Sequence, residues 1–212
     1  MSPVLPMDVS AVSAVRPESS TAPGLRAVIT ETPDTLALRA QAGCEDSFEE
    51  LVKLLGPRLH NFLFQLLGNT HDAEDVTQET FIRAYKGLPN FQANRASVTT
   101  WLYAIARNTA ITHLRRRKPD QSMDDIELST DVDPSLLLET REENHALWTL
   151  ARSLKPREFE VLWLRYGEGF AVAEIARVMS LTQIHIKVLL HRARKHLAEK
   201  ITQSQIIQPN FL

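Results

Sequence analysis

The chain has 212 residues, 43% of them hydrophobic, which is enough for one or two modest helical cores and too little for a large one. Its formal net charge of -2 taken alone argues against a nucleic-acid partner, but the charge is unevenly spread. Residues 40–118 carry 10 basic and 8 acidic side chains, residues 119–150 carry 1 and 9, and residues 151–200 carry 10 and 5, so an acidic spacer separates two segments able to face phosphate.

In chain order, residues 1–35 are rich in Ser, Pro, Ala, Val and Thr and show no sustained period. The segment 1–45 is therefore expected to be a mostly disordered extension. From 46 the stretch DSFEELVKLLGPRLHNFLFQLLG places Phe48, Leu51, Val52 and Leu55 on one helical stripe and Leu59, Phe62, Leu63, Leu66 and Leu67 on another, with a kink or restart expected at Pro57. Asn69 or Thr70 caps the next helix, which buries Val76, Thr80 and Phe81 and stops at Gly87 and Pro89. The polar loop NFQANRAS leads into VTTWLYAIARNTAITHLRRRK, where Trp101, Ile105, Ala106 and Leu114 share one side and Arg107, Asn108 and the basic run leave it. Short connections make 46–118 a compact bundle. Residues 119–134 read as a flexible acidic linker that either stays extended and soluble or lies across the basic surfaces as an internal phosphate mimic.

A second module spans 135–200. Pro156 suits the first turn of a helix that ends at Gly167. FAVAEIARVM, the turn SLT and QIHIKVLLHRARKHLAEK then form a helix-turn-helix, with a loose tail over 201–212. In the last helix Ile186, Leu189, Leu190, Ala193 and Leu197 face inward, while Lys187, His191, Arg192, Arg194 and Lys195 stay outside. Thr182 is placed to cap that helix and aim its N-terminus at a phosphate or base edge. The expected fold is all-α, two small helical modules joined by a flexible acidic linker. The pattern fits either a groove-reading helix or a three-helix protein-binding domain, and the basic content of the last helix favours DNA. Arg115, Arg116, Arg117 and Lys118 fit either a solvated cap complementing the helix dipole or a DNA contact. Trp101 and Tyr103 fit either base stacking or a core.

The single cysteine, Cys44, allows no internal disulfide, and the seven His lack CxxC or HExxH spacing, so no metal or cofactor is expected. No apolar run reaches the ~18 residues of a membrane span, and no signal-peptide pattern opens the chain, so a cytoplasmic protein without membrane insertion is expected. No nucleophile and base pair or glycine-rich phosphate loop stands out, so no catalytic residues and no enzyme activity are expected. A regulator that binds DNA with the C-terminal module alone, and a helical signalling scaffold, remain open at this point.

The stretches DAEDVTQETFIRAY, VTTWLYAIARNTAITHLRRR and LKPREFEVLWLRYGEGFAVAEIARVM with HRARKHL together resemble the bacterial sigma-70 family of transcription initiation factors, in the short extracytoplasmic-function form that keeps regions 2 and 4. The resemblance implies a sigma factor that binds core RNA polymerase through the beta-prime clamp and the beta flap, recognises -35 and -10 promoter elements, helps to open the DNA, and is held in check by an anti-sigma factor. It implies polymerase contacts at Asp75, Gln78, Glu79 and Phe81. The -10 set it implies is Asn94, Arg95, Trp101, Arg107 and Asn108, with Arg115, Arg116 and Arg117 beside them. For the -35 element it implies Thr182, His185, Lys187, Arg192 and Arg194. The usual pattern LGISxGTVKSRLxRAR is here MSLTQIHIKVLLHRAR, with Ser180, Ile184, Val188 and Leu189 at the departures. Either an unusual -35 preference or a weakened -35 contact is expected from them, and replacing Leu189 with Arg is expected to add about one phosphate contact.

Overall fold

A computed structural model describes residues 31–117 and 142–204. The elements are α1 (Pro33–Gln41), α2 (Glu45–Leu67), α3 (Thr70–Gly87), a 3-10 turn (Leu88–Asn90) and α4 (Val98–Arg117). They are followed by α5 (Glu142–Ala151), α6 (Pro156–Leu162), a π-helical turn (Trp163–Gly167), α7 (Val172–Met179) and α8 (Gln183–Ser204). The fold is all-α, with no strand among the described residues. The acidic linker over 119–134 and the segments 135–141 and 205–212 lie outside the described residues, and α8 runs past the expected boundary at 200 to Ser204.

The segment expected to be disordered up to residue 45 contains a helix. The Thr32 hydroxyl accepts from the Thr35 N–H at 3.2 Å, and Pro33 occupies the first turn, where its missing donor costs nothing. Leu36 and Ala37 are buried against the first module. Polar ties reach further along the chain. The Asp34 carboxylate accepts from the Val98 N–H at 2.6 Å, capping α4, and the Gln41 amide donates to the carbonyls of Leu88 at 3.0 Å and Phe91 at 2.9 Å. Nine residues with two buried side chains leave too short a stripe to show as a period, which is why the sequence hid this helix.

Pro57 interrupts nothing: α2 is one helix of 23 residues. It ends at Gly68, whose left-handed φ of 69° lets its N–H donate to the Phe64 carbonyl at 2.8 Å. Asn69 caps α3 by accepting from the Asp72 N–H at 3.0 Å. Across the α7–α8 turn, Ser180 adopts the left-handed region with φ 55°, where the family pattern has glycine. The Thr182 hydroxyl then accepts from the His185 N–H at 3.2 Å and caps α8.

Both modules are present, yet their described parts belong to one compact unit with a continuous core. Helix α4 lies between them, packed on α2 and α3 on one side and on α7 on the other. Its buried residues, from Val98, Leu102 and Ala106 round to Tyr103, Arg107 and Thr100, therefore cover an arc wider than a single stripe. No helix among the described residues is long and apolar enough to cross a membrane.

Candidate nucleic-acid interface

Two exposed basic surfaces, an exposed face of α3 and one closed seam hold most of the residues singled out from the sequence. The first surface is the end of the first module. Asn94 and Arg95 are exposed in the loop before α4, and Asn108, Arg115, Arg116 and Arg117 are exposed along it. Arg117 is ion-paired with Asp72. Trp101 is half-buried, its ring 5.1 Å from that of Phe91 and tilted by 43°. Gly87 makes room for it, since a Cβ there would lie 3.3 Å from the indole. Asn90, Phe91, Gln92, Arg95, Ala96 and Trp101 line a cavity of about 220 Å³, an aromatic wall with amide and guanidinium donors at its rim. The loop that forms this wall is the one that Gln41 of α1 holds by its carbonyls.

The face of α3 carrying Asp75 and Gln78 is exposed, with Glu79 half-buried and paired with Arg83 at 2.7 Å. Together with Ile82, Thr112, His113 and Arg116 these residues line a groove of about 400 Å³ between α3 and α4. Phe81 does not join them. It is buried against α2, as the helical pattern of Val76, Thr80 and Phe81 implied, edge-on to Phe48 with ring centroids 6.5 Å apart. The register explains this, because Phe81 follows Val76 and Thr80 on the inward stripe of α3, whereas Asp75, Gln78 and Ile82 lie on the outward one.

The second surface is α8. Thr182, His185, Lys187, Arg192 and Arg194 are all exposed, as are His191 and Lys195, while Ile186, Leu190 and Ala193 are buried underneath. Leu189 is half-buried and packs on the core, so Leu189→Arg would place a cation against apolar side chains and not beside a phosphate, a correction to the expected gain.

The seam was not legible in the sequence. Thr100, Tyr103 and Arg107 follow one another at helical spacing on α4, and each meets a carboxylate of the second module. The Thr100 hydroxyl donates to Glu174 at 3.2 Å, and the Tyr103 hydroxyl donates to Glu168 at 2.7 Å. Arg107 grips Glu160 through Nε at 2.5 Å and Nη2 at 3.2 Å. Both partners of that ion pair are buried, with side chains 6% and 7% exposed. Arg107, expected from the family resemblance at the -10 element, is in this structure a buried strut between modules. Glu168 also accepts from Arg58 and from the Trp163 indole, each at 3.1 Å. Burial, and then the Glu168 charge, push the Tyr103 hydroxyl well above the ordinary tyrosine range, so it stays a donor. Nearby, the Arg152 guanidinium lies 6.0 Å from the Phe64 ring centroid and 5.6 Å from that of Phe159 and donates to the Gln65 side chain, and burial draws it down to about 10. Nothing in a single sequence distinguishes Glu160 or Glu168 from solvated acids, because their partners on α4 lie at least 53 positions away in the chain.

Residues 51–119 match the family described as Sigma-70 region 2, and residues 144–197 match Sigma-70, region 4, together more than half of the chain. Over 165 residues it is 30% identical to the RNA polymerase sigma factor YlaC of Bacillus subtilis, covering 76% of this chain and 95% of that protein. The chain belongs to the extracytoplasmic-function sigma factors of the sigma-70 family. The ECF RNA polymerase sigma factor SigW of Bacillus subtilis is 28% identical over 175 residues, covering 77% of this chain and 93% of that protein. The fold is also that of the sigma factor RpoE in its co-crystal structure with the anti-sigma factor NepR from Bartonella quintana, with a TM-score of 0.61, 24% identity, and coverage of 73% of this chain and 96% of that one. As a sigma factor the chain directs RNA polymerase to promoters and is not an enzyme.

Proposed function

We propose that this sigma factor reads two promoter elements with its two exposed surfaces, the -35 element as duplex with α8 and the -10 element as an opened strand with the loop and helix around Trp101. The observation that carries this reading is the Trp101 cavity, walled by Phe91 and rimmed by Gln92 and Arg95. Opening a promoter costs the unpairing and unstacking of bases, and a pocket that stacks and hydrogen-bonds an extruded base offsets part of that cost. Asn94, Arg95, Asn108, Arg115 and Arg116 flank it as exposed groups able to hold backbone or base edges. At the other surface Lys187, Arg192 and Arg194 anchor phosphates, and the capped N-terminus of α8 points its first turn into the major groove.

Core polymerase docks through its beta-prime clamp on the exposed face of α3, where Asp75, Gln78 and Glu79 border the α3–α4 groove. The beta flap takes the second module. Two weak DNA surfaces held on one polymerase gain from effective concentration. An anti-sigma factor is a further partner, a reading supported by the shared fold with a sigma factor solved in complex with one. The protein acts in the cytoplasm, where polymerase and promoters are.

The test is transcription from a randomised promoter library by core RNA polymerase with and without the chain. Transcripts that depend on the chain and share two sequence blocks upstream of the start support the reading. Chain-dependent transcripts with a single block, or none, overturn it.

A further inference from the structure

Two apolar residues stand where α8 meets the groove. Ile184 is 76% exposed and Val188 is 43% exposed, and four residues apart they form one continuous patch on the first two turns of the helix. The core of the second module does not use them, since Ile186, Leu190 and Ala193 supply the buried side of α8. The stripe they begin continues through His191, Arg192 and Lys195, all exposed. Between Ser180 and Ala198 the chain contains no Asp or Glu, while Lys187, Arg192, Arg194 and Lys195 lie within it. Lys195 pairs with Glu199 at 3.9 Å at the far end of this stretch, and an apolar pair set among these cations fits poorly with a protein partner that would desolvate them, and fits the polyanionic wall of a DNA groove.

In a helix-turn-helix the N-terminal turns of the second helix contact base edges, and later turns reach phosphates. Thr182 fixes the start of α8 by accepting from the His185 N–H at 3.2 Å, so Ile184 and Val188 belong to the base-facing turns and Arg192 and Lys195 to the later ones. The one apolar group on the major-groove edge of a base pair is the thymine 5-methyl. We infer that Ile184 and Val188 are specificity-determining residues that select thymine within the -35 element by packing on its 5-methyl group. This rests on the -35 reading proposed above and deepens it. Side chains without donors or acceptors at these two positions forgo hydrogen-bonded readout there, so the methyl is what they distinguish.

The experiment uses the full chain bound to core polymerase. The -35 sequence that the holoenzyme selects is identified first, and each thymine in it is then replaced by deoxyuridine, which removes only the methyl. Occupancy of the duplex promoter should fall about fourfold at one or two positions, the fold-change matching ~0.8 kcal/mol for a buried methyl-sized group. Ile184→Ser and Val188→Ser, surface changes whose folding is checked by thermal melting, should each lose the deoxyuridine penalty at one position while keeping the response at the -10 element. Ile184→Val should retain part of the penalty. A selected -35 element that tolerates deoxyuridine throughout overturns this inference and returns the patch to a protein partner, as does a penalty unchanged in both serine variants. A holoenzyme that selects no -35 sequence overturns the promoter reading itself, a distinct result.

Discussion

Helices α4 and α8 are of similar length, 20 and 22 residues, and both carry several basic side chains, yet the fold puts them to different uses. On α8 every basic residue from Lys187 to Lys195 is exposed, and the helix meets the rest of the protein through its apolar side and, further along, through His196 on Glu158 at 2.9 Å. On α4 the cations are divided: Arg115, Arg116 and Arg117 reach solvent, whereas Arg107 is turned onto Glu160 in a buried ion pair. A basic residue in a DNA-binding helix is thus a candidate contact only if no buried carboxylate claims it. The basic surface of α8 is open along its length, while α4 divides its polar groups between solvent and the other module.

The largest way to break this contrast is Glu160→Ala, which strands the Arg107 charge in the seam. It should cost about 3–5 kcal/mol in chemical denaturation, as removal of one partner of a buried ion pair does. A cost near that of a surface substitution would mean that the pair is open to water. Tyr103→Phe should cost about 2 kcal/mol by leaving Glu168 short of a donor. It should also change the alkaline behaviour. Because the folded hydroxyl titrates above its unfolded value, the contribution of Tyr103 is fully present below about pH 10 and is lost as pH rises beyond it. The stability gap between wild type and Tyr103→Phe should therefore shrink above that pH. Ser180→Gly should stabilise the protein by about 1 kcal/mol, because glycine adopts the left-handed turn without the steric cost a side chain bears. Its effect is read as a rise in Tm. Least of all, Arg192→Ala should leave stability within about 0.5 kcal/mol while lowering the salt dependence of DNA binding by about one phosphate contact, measured as log Kd against log salt.

Much of this was legible in the sequence because local rules govern it. Asn69 and Thr182 cap where polar residues precede an apolar period, Pro156 opens a helix, and the inward set of α8 follows from spacing. What stayed hidden is tertiary. A nine-residue helix such as α1 carries too few buried side chains to show a period, although its Gln41 and Asp34 hold the loop before α4 and the start of that helix. Arg107 and Phe81 sit within motifs that mark the family, and a motif reports that a residue type is needed without saying whether its side chain points in or out. For Phe81 the helical register of Val76 and Thr80 already contained the answer. For Arg107 it did not, because Glu160 lies in the other module.

The most direct test is to map the promoter sequences selected by holoenzymes carrying the wild-type chain, the double variant Lys187→Ala with Arg192→Ala, or the double variant Asn94→Ala with Arg95→Ala. The first double variant should lose selection at the -35 block and keep the -10 block, and the second should do the reverse. Loss of both blocks together in either variant, in protein that remains folded and bound to polymerase, would contradict the assignment of one promoter element to each surface.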